Sequence, residues 1–331
     1  MKQKRVCFHF LFSSLLCNAA IAQTDTAAFR NPANYQAAVD YYSGKIQENT
    51  ASFYGYYQTA CYLSLLQQSD SAFPMLLQAI RKGAAAEDIL TDTDFSSLHN
   101  KTQWNNVVDT LKKNYLLRYP NITHPELSLE LWFIWIKDQR FRTLTKNIKN
   151  HVAGKVYTWK IEKDIDRIEE IIQQYGWPTH SMVGEKSAEA VFLVIQHSMK
   201  IKKYLPLMIR AANNGEADRK YTAMMIDRYL SRMGKFGYRK KVQIFGSQAH
   251  ANGYLNKATS KRERTPFELH PIADEEHVNL RRAALGMTSI EENSARLGVN
   301  YIPLTQREDY KPIKIKKRWI RKGYLLGTEN F

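Results

Sequence analysis

Residues 175–198 read YGWPTHSMVGEKSAEAVFLVIQHS, and this stretch decides the fold. Gly176 supplies the left-handed residue that ends a preceding helix, and Pro178 prevents its continuation. Beyond Val183-Gly184, the residues Ala188, Val191, Phe192, Ile195 and Met199 form one stripe at helical spacing, widened by Leu193 and Val194. A helix that is apolar on nearly every side belongs at the centre of a fold. Working backwards, Ile161, Ile165, Ile168, Ile171 and Ile172 mark one face of a helix over 161–175. Working forwards, a helix starts near Lys203 with Pro206 in its first turn and ends at Asn213-Asn214-Gly215. A further helix covers 216–233, with Tyr221, Met224, Met225 and Arg228 on one face. Residues 242–245 have strand character that Gly246 would end or bend, and Asn252-Gly253 is a type I′ hairpin signal. Pro271-Ile272 precede a helical RRAALGM run. The tail from Tyr310 is rich in Lys and Arg and reads as an edge strand or a flexible basic arm.

The first half is helical as well. Tyr35, Val39, Tyr42 and Ile46 recur at three and four over 31–48, with Pro32 near the start. Ala60, Leu63, Ala72, Leu76 and Ala79 carry the small-and-large spacing of a tetratricopeptide hairpin, with its turn at Gln68-Ser69-Asp70 and Gly83 closing the second helix. Asp94 is placed to cap a short helix through Leu98, and Trp104 opens another that ends near Tyr119-Pro120. The expected class is mainly α: tetratricopeptide-like hairpins over 31–119, a linker or inserted helices over 120–160, and an α-helical domain with a small β-hairpin over 161–301. A basic tail follows over 302–331. Trp132 and Trp135, three apart on one helical face, fit a core.

The amino terminus reads as a secretory signal. Lys2, Lys4 and Arg5 precede an apolar run from Phe8 to Leu16, and Ala20-Ile21-Ala22 offers a cleavage site, so the signal is 1–22. Cys17 raises lipidation as a lesser alternative. Cleavage near Ala22 removes those three basic residues and no acid, so the formal charge falls from +16 to +13. Only Cys61 then remains of the 3 cysteines, so the fold rests on its core and not on disulfides. The expected location is the periplasm or the exterior, with no transmembrane span and with peripheral membrane contact open to a basic protein. Export and the lack of any finger, RNP or helix-turn-helix signature argue against a nucleic-acid partner.

Candidate site residues lie at element edges. His197 follows Leu193 and Val194 by one turn, near the wet end of a buried helix, which suits a general base; Asp227 and Gln248 are its candidate catalytic partners. Trp177, Gln196, Arg228, Gln243 and Arg282 are candidate ligand-binding residues, and all eight are expected to converge on one pocket. The alternative is that they serve separate caps, core hydrogen bonds and an Asp227–Arg228 salt bridge. No HExxH, CxxC, Walker or GxSxG motif occurs in a convincing setting, and the 9 histidines are scattered, so no metal and no cofactor is expected.

YGWP at 175–178, Val183-Gly184, IQHS at 195–198, Leu205-Pro206-Leu207, Gly215-Glu216, Asp227-Arg228, IFGSQ at 244–248, Pro271-Ile272 and NLRRAALGM occur here in order. In this pattern the chain resembles a family of uncharacterised bacterial proteins, common in Bacteroidetes, defined by a domain of unknown function. The resemblance implies no activity. The family pattern carries tyrosine at Phe245 and threonine at Ser247. The functional expectation is an exported protein that binds or scaffolds a peptide, glycan or envelope partner; the alternative is a hydrolase or transferase using His197.

Overall fold

The computed structural model describes residues 29, 31–48, 51–145, 151–198, 200–232, 242–251, 253–256, 261–303, 306–308 and 311–326. The proposed signal peptide, Cys17 and Asn252 lie outside them. The chain divides into two compact units between Ala84 and Ala85, inside the 31–119 range. The described residues are predominantly helical, and none of their helices is long and apolar enough to cross a membrane.

The first unit holds α1 (Tyr35–Gln47), α2 (Phe53–Leu65) and α3 (Ser69–Arg81). The side chain of Ser52 accepts the Tyr54 N–H at 3.3 Å and caps α2. Ala60, Ala72 and Ala79 are fully buried where α2 and α3 pack together, with Leu63 and Leu76 beside them. Small residues there allow the close approach that the spacing implies. Pro74 is the sixth residue of α3, deeper than a first-turn position.

The second unit comprises α4 (Ala86–Thr91), α5 (Gln103–Arg118), α6 (Pro125–Thr145), α7 (His151–Tyr175), α8 (His180–Val183), α9 (Glu185–His197), α10 (Ile201–Asn213) and α11 (Arg219–Arg232), followed by four short strands and α12 (Val278–Ala284), α13 (Ile290–Leu297) and α14 (Lys317–Ile320). Its hub is α9, as the stripe predicts. Residues 187, 188 and 190–196 are buried, and α6, α7, α10 and α11 all pack on it. A hydroxyl cluster fixes α5, α6 and α9 together. The Tyr115 hydroxyl lies 2.7 Å from Ser187 Oγ, Ser187 donates to the Ser128 carbonyl at 2.5 Å, and Ser128 donates to the Val183 carbonyl at 2.5 Å. Gly176 ends α7 at φ +78°, as expected of a helix-ending glycine.

Outside the packed core, Glu169 ties α7 to the start of α10. Tyr204 donates to one of its oxygens at 2.6 Å, Lys203 to the same oxygen at 2.9 Å and Lys200 to the other at 3.2 Å. These bonds, Tyr204 first, hold its carboxyl down at about 2 against an ordinary 4.5. A carboxylate with a depressed folded-state pKa stabilises above the unfolded value and loses that contribution as pH falls through the folded one. Acidification from pH 5 to pH 2 should therefore cost the wild type more stability than Glu169→Gln, as read from paired urea titrations. Parallel pH profiles for the two proteins would reject this role.

Three sequence expectations need correction. Residues 242–245 form no strand. Gln243 makes an isolated bridge to Ile272, and the following N–H groups turn inward to a carboxylate, described below. The turn expected at Asn252-Gly253 is corrected at Gly253, which opens a strand and does not lie in a turn. β1 (Ala249–His250) pairs with β4 (Glu268–Leu269), and β2 (Gly253–Asn256) pairs with β3 (Lys261–Arg264), with Gly253 opposite Arg264. Among the described residues the β2–β3 pair therefore runs from Gly253 opposite Arg264 to Asn256 opposite Lys261. The described part of the C-terminal tail, 311–326, is neither strand nor free arm. Trp319, Tyr324, Leu325 and Leu326 are buried in the main core, and the Asp274 N–H donates to the Ile313 carbonyl at 2.7 Å. A smaller shift concerns Asp94, whose own N–H is capped by Asp92 at 2.9 Å.

Candidate functional site

Two polar constellations stand out in the second unit. One surrounds the loop 242–248. Asp227 on α11 is fully buried, and its carboxylate accepts the N–H of Ile244 (2.7 Å), Phe245 (3.0 Å) and Ser247 (2.9 Å) and the Ser247 hydroxyl (2.9 Å). Burial raises its pKa, opposed by these N–H donors. The carbonyl side of the loop is taken by two arginines of α12. Arg281 donates to the carbonyls of Ile244 (3.1 Å), Ala273 (2.9 Å) and Asp274 (2.7 Å) and to the Asp274 carboxylate (2.6 Å). Arg282 donates to the carbonyls of Phe245 (2.5 Å) and Thr288 (2.6 Å). Burial lowers both guanidinium pKa values, that of Arg282 to about 10.

Gln243 and Gln248 close the loop from within. Gln243 donates to the carbonyls of Gln248 (3.0 Å) and His270 (2.7 Å), while its own oxygen accepts the Gln248 N–H at 2.7 Å. The Gln248 amide donates to the Ser247 carbonyl at 3.2 Å. Gly246 is obligatory. Its φ is +69°, and a Cβ there would run into Ile290 Cδ1. Carboxylate, guanidinium and amide groups thus grip backbone, and the loop is a clasp joining α11 to α12 and α13. A threonine at Ser247 would retain the hydroxyl bond to Asp227, and Phe245 is fully buried.

The other constellation surrounds a cavity of about 270 Å³. Trp177 lines it from the YGWP turn, Glu185, Lys186 and Glu189 from the start of α9, and Asp218 and Tyr221 from the start of α11; Tyr119 and Phe192 add aromatic wall. Gly184 lets the Tyr119 ring approach, since a Cβ at this φ of +77° would lie 2.9 Å from that ring. Glu189 is held on both oxygens, by the Tyr221 hydroxyl (2.9 Å) and by Lys186 (2.9 Å). Burial, then Glu189, raises the Tyr221 pKa, so its hydroxyl stays protonated and donates. Phe192 stacks on Tyr221 with centroids 4.7 Å apart. Asp218 Oδ1 accepts the Tyr221 N–H at 2.9 Å and caps α11.

The eight candidate residues separate between these places. Asp227, Gln243, Gln248 and Arg282 meet at the clasp. Trp177 lines the cavity, and none of the other seven does. Gln196 and His197 end α9, where Arg232 donates to the Gln196 carbonyl at 3.4 Å; Arg228 is buried on α11. The sequence reading passed over Arg281, the more heavily bonded of the arginine pair. It also passed over Glu185, Glu189 and Asp218. The one signal for Glu185 and Glu189 was their i, i+4 spacing on the flank of an otherwise apolar helix.

Residues 160–302 match the model of a family described as Family of unknown function (DUF6624). Both constellations draw on this region, with Tyr119 alone lying outside it. No curated protein and no solved structure matches the chain.

Proposed function

We propose that this is an exported protein, cleaved near Ala22 and resident in the periplasm or outside the cell. Its tetratricopeptide-like first unit and its second unit bind or scaffold a peptide, glycan or envelope partner. The observation that carries the binding reading is the cavity at the start of α9. Its polar side chains line open volume and are framed by aromatic rings, the usual composition of a small-ligand site. The hydrolase or transferase alternative relies on Asp227 or Gln248 to orient His197. Against it stands the occupancy of Asp227, whose two oxygens already accept three N–H groups and a hydroxyl.

The test uses the cleaved chain, immobilised and titrated with envelope extract fractions, a peptide pool and anionic glycans. Ala217 lines the cavity, so Ala217→Leu narrows it. Saturable binding should weaken at least about tenfold in that variant, checked for unchanged circular dichroism, and should survive His197→Ala. Binding indifferent to Ala217→Leu, or no saturable binding, would end this reading. Hydrolytic turnover lost in His197→Ala would restore the enzymatic one.

A further inference from the structure

Residues 311–322 read KPIKIKKRWIRK, seven cations and no acid. All seven are exposed, and none has an ion-pair partner among the described residues. The stretch is nevertheless fixed in place. Trp319, Tyr324, Leu325 and Leu326 are buried in the main core. Ile313 and Ile315 pack against the same core, while Lys314 and Lys316 are exposed, the alternation of an extended segment. In and after α14, the Arg321 N–H donates to the Lys317 carbonyl at 3.1 Å and the Tyr324 N–H to the Trp319 carbonyl at 3.0 Å. A basic strip held this way has less backbone freedom to lose on docking than a disordered basic arm.

Neighbouring acids do not neutralise the strip. Lys314 and Ile320 line a cleft together with Asp274, Glu275 and Glu276. Asp274 is paired with Arg281 and Glu275 with Arg307, which leaves Glu276 as the one acid of the three without an ion pair among the described residues. Like charges crowded on one face repel, and an external anionic surface relieves that repulsion. Two observations select the kind of surface. The rings of Trp319 and Tyr324 are buried, so this stretch offers no aromatic platform for a base or a sugar. Ile320 is instead 41% exposed among the cations. A polyanion in solution has nothing apolar to offer it, whereas a bilayer has an acyl boundary just below its charged headgroups.

We propose that this face of the second unit docks on a bilayer surface rich in anionic phospholipid, with the lysines and arginines against the phosphates and Ile320 at the acyl boundary. The inference goes beyond the cavity reading, uses a different surface and is tested separately from it.

Cosedimentation of the full chain with lipid vesicles tests the proposal. Each cation near an anionic membrane is worth roughly fivefold in partition, so vesicles with about 30% phosphatidylglycerol should bind at least about a hundredfold more tightly than phosphatidylcholine alone. Neutral vesicles also read any binding by the amino-terminal apolar run, which is the same in every variant. The Lys317→Gln, Arg321→Gln, Lys322→Gln triple variant should weaken binding to anionic vesicles at least about twentyfold. Its melting temperature should not move, because all three side chains are exposed. The Lys101→Gln, Lys113→Gln, Lys137→Gln variant removes the same charge from exposed positions elsewhere and should cost less than about threefold. Ile320→Ala, checked for an unchanged melting temperature, should weaken vesicle binding about threefold or more and leave heparin binding unchanged. Leu117→Ala, at a residue 68% exposed on α5, should change neither. Equal affinity for neutral and anionic vesicles, or equal losses in the two triple variants, overturns the proposal. Vesicle binding indifferent to Ile320→Ala, with heparin held more tightly than vesicles, assigns the strip to a soluble polyanion and overturns it as well.

Discussion

Asp227→Ala should destabilise the second unit by about 4 kcal/mol or more, since each buried N–H left without an acceptor costs roughly 1–3 kcal/mol. The carboxylate takes the N–H groups of Ile244, Phe245 and Ser247, together with the Ser247 hydroxyl. Nothing in a methyl side chain replaces it, and Ile244 and Phe245 are fully buried, so water has no easy route to those donors. The same change strips the nearby Arg281 and Arg282 of a buried counter-charge that favours their charged forms. Against a typical stability of about 5–15 kcal/mol, this loss would leave the unit unfolded or marginal at 37 °C. Asp227→Asn should fall between, because one carbonyl oxygen remains while the new amide presents donors to donors. The measurement is the guanidinium midpoint at fixed m, with hydrogen exchange read at Ile244, Phe245 and Ser247. A loss under about 1 kcal/mol in the alanine variant would mean that the loop finds other acceptors, and the clasp would not be what holds it.

The reach of the sequence can be judged from particular elements. The faces of α7, α9, α10 and α11 and the C-terminal end of α7 were legible because each follows from local spacing, whereas the start of α7 at His151 lies ten residues before the expected 161. Isoleucines recur at three and four, and Gly176 is a stop whose φ of +78° only glycine adopts without strain. The centrality of α9 was legible for the same reason, its apolar residues covering nearly all sides. The loop 242–248 was not. Its residues are apolar and β-prone, but the acceptors for its N–H groups come from a side chain on α11 and not from a neighbouring strand. That choice is tertiary, and no window around Ile244 contains it. The hairpin was misplaced because Asn-Gly is a strong local turn signal, whereas Gly253 pairs across to Arg264. The tail looked free because its lysines outnumber its anchors, although Trp319, Tyr324, Leu325 and Leu326 suffice to seat it. The cavity was hidden for another reason. Asp218 caps α11, which starts three residues later than the expected 216, and Glu185 is a first-turn acid of α9 that suits the helix dipole. Residues with an adequate local role draw no notice, so their shared cavity shows only once the chain is folded.

Arg281→Met should cost about 3–5 kcal/mol, the range for removing one partner of a buried ionic network. Methionine conserves much of the aliphatic stem, so the loss isolates the guanidinium. That group is 1% exposed and reaches the carbonyls of Ile244, Ala273 and Asp274 as well as the Asp274 carboxylate. It also holds Asp274 in the left-handed region, at φ +48°, a conformation unusual for a residue with a Cβ. Arg281→Lys should recover little. A lysine ammonium is a single point with three donors and cannot span the carbonyls that the planar fork reaches. Arg282→Lys should be milder, since among the described residues the guanidinium holds the Phe245 and Thr288 carbonyls and no carboxylate. The two basic residues and Asp227 hold opposite polar groups of the same two residues, Ile244 and Phe245. Asp227 takes the N–H of Ile244 and Phe245, while Arg281 and Arg282 take their carbonyls. Losing either side frees the same loop, so the Asp227→Asn, Arg281→Met double variant should be less destabilised than the sum of its parts, by about 1 kcal/mol or more. Strict additivity in that cycle, or full stability in Arg281→Lys, would mean that the arginine packs beside the clasp without closing it.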